Sequence, residues 1–368
     1  MPQESGVGGK VNSVNGDGVF RADALRAFCE EVFLSSGMSR EDASIVADSL
    51  VQANLRGVDS HGVARVGIYV KRLEMGLVNP RPDVGVVRES AGTLLVDGDN
   101  GMGQVVGVRA IDLGLDKAKE SGGVSVGVRR SNHYGAGAYY VQRAVARDTI
   151  AFAYSNAPPT MAPWGGVDPY VGTNPYTFGA PAGEHQPIIL DMATSIVARG
   201  KIILAAERGE PIPEGWAVDK QGNPTTDARE ALEGSVLPFG GPKGYAISLM
   251  IDIMAGALTG AGFGPRINSL YDNFDEPQNV GAFFQLVDIG HFTDPATFKA
   301  RVDRMIEEIK SSRKAQGTEE LFLPGEIEHR TEEERETSGI PLGAETVAQL
   351  REVGRSCGVD MTDYVSQA

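Results

Sequence analysis

The chain holds few of the residues that would announce thiol, metal or membrane chemistry. It has two cysteines in 368 residues, Cys29 and Cys357, with no CxxC spacing. That excludes a disulfide framework and a thiolate zinc site, and it suits a reduced, cytoplasmic setting. Apolar runs are short, and none reaches the ~18 residues that a membrane-crossing helix needs. Positive charge is in deficit, with 34 Lys and Arg against 49 Asp and Glu, a net charge of −15. Such a surface argues against nucleic acid or an anionic membrane as partner. No GxGxxG follows a strand-like run, so a dinucleotide held in a Rossmann βαβ unit is not expected. The Walker spacing GxxxxGK[ST] is missing, as are HxxxH, GxSxG and any paired-carboxylate spacing, which disfavours an NTPase, a zincin, an α/β-hydrolase or a glycosidase.

What is present points to a folded α/β protein. At 41% hydrophobic residues the chain can bury a full core, and its length suggests two domains. Residues 1–19 read as a flexible, Gly/Ser/Asn-rich leader with no apolar core, hence not a secretory signal. Residues 21–80 read as helical. Leu25, Phe28 and Val32 recur at helical spacing before a stop at Gly37, and Ser39 caps a second helix with Val46 and Leu50 on its buried face. A third helix is expected to carry His61, Arg65 and Tyr69 along one face and to end near Gly76.

From about residue 84 short β-rich runs alternate with glycine-rich turns and helices: 92–96, 124–128, 150–155 and 188–191 as strands, 105–119 and 139–147 as helices. Residues 297–315 return to a charged amphipathic helix. Thr331 with Glu334 makes a capping box, and Val347, Leu350 and Val353 mark a last short helix. Because chain ends often lie close together, residues 20–82 and 297–368 are expected to pack as one helical domain around an α/β domain spanning 83–296.

Five segments carry the candidate chemistry. In Asp59-Ser60-His61-Gly62-Val63-Ala64-Arg65, with Tyr69 beyond, an imidazole, a guanidinium and a phenol could serve as proton carrier, carboxylate clamp and hydrogen-bonding hydroxyl for a small 2-oxo or 2-hydroxy acid. His133, in Ser131-Asn132-His133-Tyr134-Gly135, falls past the carboxyl end of a strand, where ligands bind in α/β sheets; it could equally cap the next helix or satisfy a turn. Asp191 ends an apolar strand ahead of Met192-Ala193-Thr194-Ser195. It could fix a histidine tautomer or cap the next helix, and the pattern leaves both open. The Pro- and Gly-rich stretch 155–166 and Gly172-Thr173-Asn174-Pro175 suit a rigid nucleotide wall, a substrate lid or a structured loop. Gly240-Gly241-Pro242-Lys243-Gly244 leads into a helix whose free amides, backed by Lys243, make a phosphate site. His185, His291 and His329 read as surface or structural residues.

Taken in order, Asp59-Ser60-His61-Gly62, Ser131-Asn132-His133-Tyr134-Gly135, Gly172-Thr173-Asn174-Pro175, Asp191-Met192-Ala193-Thr194-Ser195, Lys243-Gly244-Tyr245 and Pro324-Gly325-Glu326 resemble the type-2 malate/L-lactate dehydrogenase family over about 20–350. The resemblance implies a non-Rossmann, sulfolactate dehydrogenase-like fold with a mixed sheet, a homodimer, and hydride transfer dependent on NAD or NADP. It implies proton transfer by His133 or by the pair Ser60 and His61, with Asp191 as relay. It places Arg65 and Tyr69 at the substrate, with Thr173 and Asn174 beside them. It places His61, Asp191, Met192, Ala193, Lys243, Gly244, Pro324, Gly325 and Glu326 at the cofactor. One departure is Gly281-Ala282-Phe283-Phe284, where many relatives have Gly-His-Phe-Phe. No metal is implied. The runner-up activity is an NADPH-dependent cyclic imine reductase, and the rival from another class is a non-catalytic binding protein that keeps the fold.

Overall fold

The computed structural model describes residues 18–364, which divide into two units, one of residues 18–71 with 328–364 and one spanning Arg72–Ile327. The leader expected over 1–19 lies, up to residue 17, outside the described residues. Gly18 and Val19 correct its boundary, because they belong to strand β1, Gly18–Phe20.

The first unit is helical because its apolar spacing is. Helix α1, Ala22–Ser35, buries Leu25, Phe28, Val32 and Phe33 completely, and Gly37 ends it with φ +93°, a conformation that costs glycine little. Helix α2, Arg40–Leu55, starts on Ser39, whose Oγ accepts the Asp42 N–H at 3.2 Å. The next stretch departs from expectation. Two 3₁₀ turns, Asp59–His61 and Val63–Arg65, precede helix α3, Val66–Glu74, and Gly62 between them is extended. His61, Arg65 and Tyr69 therefore do not share one α-helical face, since the continuous helix begins after Arg65.

The second unit is built on a seven-stranded mixed sheet. In chain order it holds β2 (Gly85–Ser90), β3 (Thr93–Asp97), α4 (Gly103–Ser121), β4 (Gly123–Ser131), α5 (Ala138–Val145), β5 (Thr149–Ser155), β6 (Tyr176–Ala180), β7 (Ile188–Met192), α6 (Arg199–Arg208), β8 (Ala217–Val218), β9 (Pro224–Thr225), α7 (Ala228–Glu233), β10 (Ser235–Val236), α8 (Pro242–Asp252), β11 (Val280–Asp288) and α9 (Pro295–Lys310). The large sheet runs β2-β3-β4-β11-β5-β6-β7 and the small one β10-β8-β9. In the large sheet only β3 and β4 run parallel. Its centre is β11, which pairs Phe284 with Val126 on one side and Ala153 on the other. Phe284 and Leu286 are wholly buried. Helices α4 and α5 pack on the sheet; Gly114 lets α4 approach, since a Cβ there would fall 2.7 Å from Val126 and 2.8 Å from Leu286. A second apolar cluster, including Met161, Ile202, Ile212 and Val236, underlies the small sheet.

The chain then returns to the first unit through α10 (Glu326–Ser338), β12 (Ile340–Leu342) and α11 (Ala344–Ser356). Strand β12 pairs antiparallel with β1, and Val347, Leu350 and Val353 are buried as their spacing requires. Two expectations fail here. Helix α9 stops at Lys310 and belongs to the central unit, where Asp303 accepts the N–H groups of Gly183, Glu184 and His185 at 2.9–3.2 Å. Thr331 opens no capping box, because α10 already starts five residues earlier; the Leu323 N–H donates to Glu326 Oε2 at 3.0 Å.

Candidate active site

In the first unit the turn 59–65 carries three of the expected site residues, and α3 adds Tyr69. Ser60 Oγ lies 3.0 Å from His61 Nδ1, and Arg65 donates its Nε to the Ser60 carbonyl at 2.7 Å. Burial first, and the nearby Arg65 guanidinium second, lower the His61 pKa to about 4. At neutral pH its ring is therefore uncharged. Burial also lowers Arg65, and the Tyr69 phenol beside it pulls the other way. Tyr69 itself is buried. Imidazole, hydroxyl, guanidinium and phenol thus form one cluster, although not by the single helix face the spacing suggested.

The turn is wrapped around one side chain. Asn54, near the end of α2 and 1% exposed, accepts the Val63 N–H on Oδ1 at 2.8 Å and donates Nδ2 to Asp59 Oδ1 at 2.7 Å. Gly62 sits between those anchors, where a Cβ would fall 2.1 Å from Asn54 Oδ1. Asn54 was missed in the sequence; its only signal is an asparagine one helical end away from the Asp-Ser-His-Gly run.

In the second unit most of the remaining residues lie on or just beyond β7, whereas His133 lies after β4. His133 follows β4 in a loop pressed against the start of α4, and Gly103 there has no room for a Cβ, which would lie 2.1 Å from the His133 carbonyl. The His133 N–H donates to Gln278 Oε1 at 3.0 Å. Gln278 is 1% exposed and was also missed, because it lies in a loop without periodicity.

Asp191, on β7, accepts the Ala138 N–H on one oxygen and the Thr177 hydroxyl on the other, both at 2.8 Å. It thus anchors the first residue of α5, the helix that follows the His133 loop. Of the two roles the pattern left open, capping is the one the hydrogen bonds display. The helix it caps is not the next one, as the sequence suggested, since α6 begins on Ala198 with no side-chain cap. Tyr134, next to His133, is held well above the usual phenol range, chiefly by burial, then by Tyr140 and Asp191.

The chain leaving β7 meets the other candidates. Past Met192 and Ala193, the Thr194 N–H donates to the Thr173 carbonyl at 3.2 Å, and Thr194 Oγ1 donates to that of Asn174 at 3.0 Å. Phe239 N–H donates to the Thr194 carbonyl at 3.1 Å, which sets the start of α8, with Lys243 exposed and Gly244 buried, beside this strand end. Pro324 accepts the Ile189 N–H at 3.2 Å, and Gly325, at φ +86°, leaves no room for a Cβ 2.6 Å from the Ile189 carbonyl. The Pro324-Gly325-Glu326 turn is thus seated on β7. Glu326 is occupied by Lys310 at 2.6 Å and by the Leu323 N–H.

Asn174 departs from its expected place at the substrate. It is fully buried, its Oδ1 accepts the Ala157 N–H and its Nδ2 donates to the Ser248 carbonyl, each at 2.9 Å. Its amide ties the loop after β5 to α8; Thr173, beside it, is half-buried. Pro242, first in α8, has no N–H to offer a phosphate, so the phosphate reading rests on the residues after it.

Comparison with known proteins identifies the family. The malate/L-lactate dehydrogenase family model matches residues 20–351. An L-sulfolactate dehydrogenase from Methanocaldococcus jannaschii is 41% identical over 335 residues, covering 91% of this chain and 96% of its own. A solved sulfolactate dehydrogenase structure from that organism superposes with a TM-score of 0.89 at 39% identity, over 95% of this chain and all of the other. The NAD(+)-dependent ureidoglycolate dehydrogenase of Escherichia coli K12 is 33% identical over 87% of this chain and 91% of its own. The (2R)-3-sulfolactate dehydrogenase (NADP(+)) of Chromohalobacter salexigens is 36% identical over 86% and 92%.

The fold is therefore that of the sulfolactate and malate dehydrogenases, a mixed sheet with helices, and the chain is a dehydrogenase that uses NAD or NADP. It belongs to the malate/L-lactate dehydrogenase family.

Proposed function

We propose that this chain interconverts a small 2-oxo acid and its 2-hydroxy acid, of the malate, lactate, sulfolactate or ureidoglycolate type, and that it acts as a homodimer in the cytoplasm. The observation that carries the reading is the cluster of Ser60, His61, Arg65 and Tyr69. A bound nicotinamide supplies or takes the hydride at C2 of the acid. Glycines suit its backbone-lined seat: Gly241 and Gly325 both take positive φ, and side chains there would fill the space beside Trp164 and Ile189. Met192, Ala193, Lys243, Gly244 and the turn at Pro324 to Glu326 line that seat, outside any Rossmann βαβ unit. The mixed sheet, with its single parallel pair, supports this.

Arg65 holds the substrate carboxylate, since a guanidinium matches it with paired donors. Tyr69, beside Arg65, and, in the other unit, Thr173 are the further substrate contacts of this reading. His133 carries the proton to and from the substrate oxygen. His61 is less suited to donate, because its ring is neutral far below pH 7; with Ser60 on Nδ1 it orients the oxygen instead. Asp191 supports His133 from the start of α5. A positioned proton carrier of this kind contributes on the order of 10²–10⁴-fold.

The test is oxidation of NADH and NADPH at 340 nm over a panel of 2-oxo acids and cyclic imines. Turnover of an acid is expected. In Arg65→Ala the KM for that acid should rise roughly 10- to 100-fold, the loss of about 1.5–3 kcal/mol for hydrogen bonds to a charged group. An unchanged KM puts the carboxylate elsewhere. Silence over the whole panel with either nicotinamide refutes the 2-oxo acid reading, and turnover of imines alone replaces it with the imine reductase.

A further inference from the structure

The substrate-facing turn of the first unit is held from an unexpected direction. Arg335 lies on α10, 276 positions beyond Asp59, within an acidic run that the proposed chemistry does not use. Its Nη1 donates to Asp59 Oδ1 at 2.7 Å and its Nη2 to Oδ2 at 3.2 Å, a two-pronged pair. The same Nη1 also donates to the Asn54 carbonyl. Arg335 is 16% exposed at the side chain. One turn away on α10, Glu332 pairs with Arg56 at 2.9 Å, with side chains 15% and 7% exposed. Thr331 fills the space beside Gly57.

Each link constrains the turn. The Asn54 amide grips Asp59 and Val63, the residues on either side of Ser60, His61 and Gly62. Asp59 is about half exposed; held only by the Asn54 amide it would keep its other oxygen in water and could swing. The two-pronged guanidinium removes that freedom. Arg65, in turn, takes its direction from the Ser60 carbonyl. A shift of Asp59 is thus passed to Ser60, and from Ser60 to the guanidinium that meets the substrate.

We propose that Asn54, Asp59 and Arg335 are positioning residues for substrate binding, a clamp by which helix α10 fixes the direction of Arg65 and His61. The clamp touches no reacting atom. It rests on the assignment of Arg65 and His61 to the substrate, and it adds residues that the resemblance does not include.

The experiment compares Arg335→Met, Arg335→Lys and Asp59→Asn with Arg65→Ala, all as full-length chains. In Arg335→Met the KM for the 2-oxo acid should rise at least fivefold, while the KM for NAD(P)H stays within twofold and the Tm within a few degrees. Arg335→Lys should recover part of the substrate KM, because a lysine restores the charge but not the fork. Where Arg335→Met fails to fold, Asp59→Asn decides by the same ratio, since it keeps the oxygen facing Asn54, removes the charge and sets an N–H donor against Arg335 Nη2. Equal rises in both KM values mean general damage and overturn the proposal, as does a folded variant with unchanged substrate KM beside an impaired Arg65→Ala. If Arg65→Ala is itself unimpaired, the carboxylate-clamp assignment has failed, and the positioning role falls with it.

Discussion

The approach of α4 to the His133 loop gives a sharp way to separate the two histidines. At Gly103 an added Cβ would fall 2.1 Å from the His133 carbonyl oxygen and 2.5 Å from that of Asn132. Both neighbours are backbone, so no side chain can rotate away. Ordinary contact between such atoms lies at about 3.3 Å or more, and Gly103→Ala therefore displaces the loop by on the order of 1 Å. Overpacking of this kind costs about 1–3 kcal/mol of stability, which the folded protein should survive. A misplacement of about 1 Å at a reacting group can cost on the order of 10²-fold in rate. The expected result is a kcat for the 2-oxo acid lowered between tenfold and a hundredfold, read at 340 nm. NAD(P)H affinity, by fluorescence titration, should change less than threefold. The displaced loop also carries Asn132, whose Nδ2 is anchored on the Gly101 carbonyl at 2.9 Å, so a parallel His133→Ala variant is needed. A folded Gly103→Ala enzyme with kcat within threefold of the parent would refute His133 as the proton carrier and transfer that role to His61.

Two further predictions concern groups whose titration the fold shifts. The His61 pKa of about 4 lies below its ordinary 6.5, so the unfolded chain takes up this proton first as pH falls. The contribution to stability is full above pH 6.5 and is lost as pH falls through 4, up to about 3 kcal/mol. His61→Gln should therefore show a shallower fall of Tm between pH 7 and pH 4.5 than the parent, and equal falls would contradict the burial of this ring. Cys29 is wholly buried, and burial pushes its thiol up to about 12, whereas Cys357 is half-buried. A thiol reagent should modify one cysteine per native chain and two after denaturation; two fast-reacting thiols in the native protein would mean that α1 opens readily.

How much of this was legible depended on how local the determining interactions are. The helices at Leu25, Phe28 and Val32 and at Val347, Leu350 and Val353 announced themselves because each buries one stripe against its own unit. The strands at 124–128 and 150–155 were visible as short runs rich in β-branched, aromatic and small apolar residues. Strand β11 was not, although it is the centre of the sheet. Buried on both faces, Gly281-Ala282-Phe283-Phe284 lacks the alternation that marks a half-buried strand, and its partners β4 and β5 lie over 120 residues earlier.

The site shows the same division. Ser60, His61 and Arg65 stood out as residue types, but their arrangement did not follow from helical spacing. It depends on Gly62 giving way to the Asn54 amide, and on Arg335 arriving from the far end of the chain. Asn174 makes the converse point. A polar residue in a Gly-Thr-Asn-Pro run reads as a ligand group, yet a buried amide must first satisfy its own donors and acceptors, and here the backbone of Ala157 and Ser248 claims it. Several residues around the proposed site therefore divide by burial. Arg65, Lys243 and His133 keep some exposure, as the ligand contacts proposed for them require. Asn54, Asn174 and Gln278, each at most 1% exposed, hold the backbone that presents them, so substitution there should act through the geometry of a neighbour and not through a lost contact to substrate.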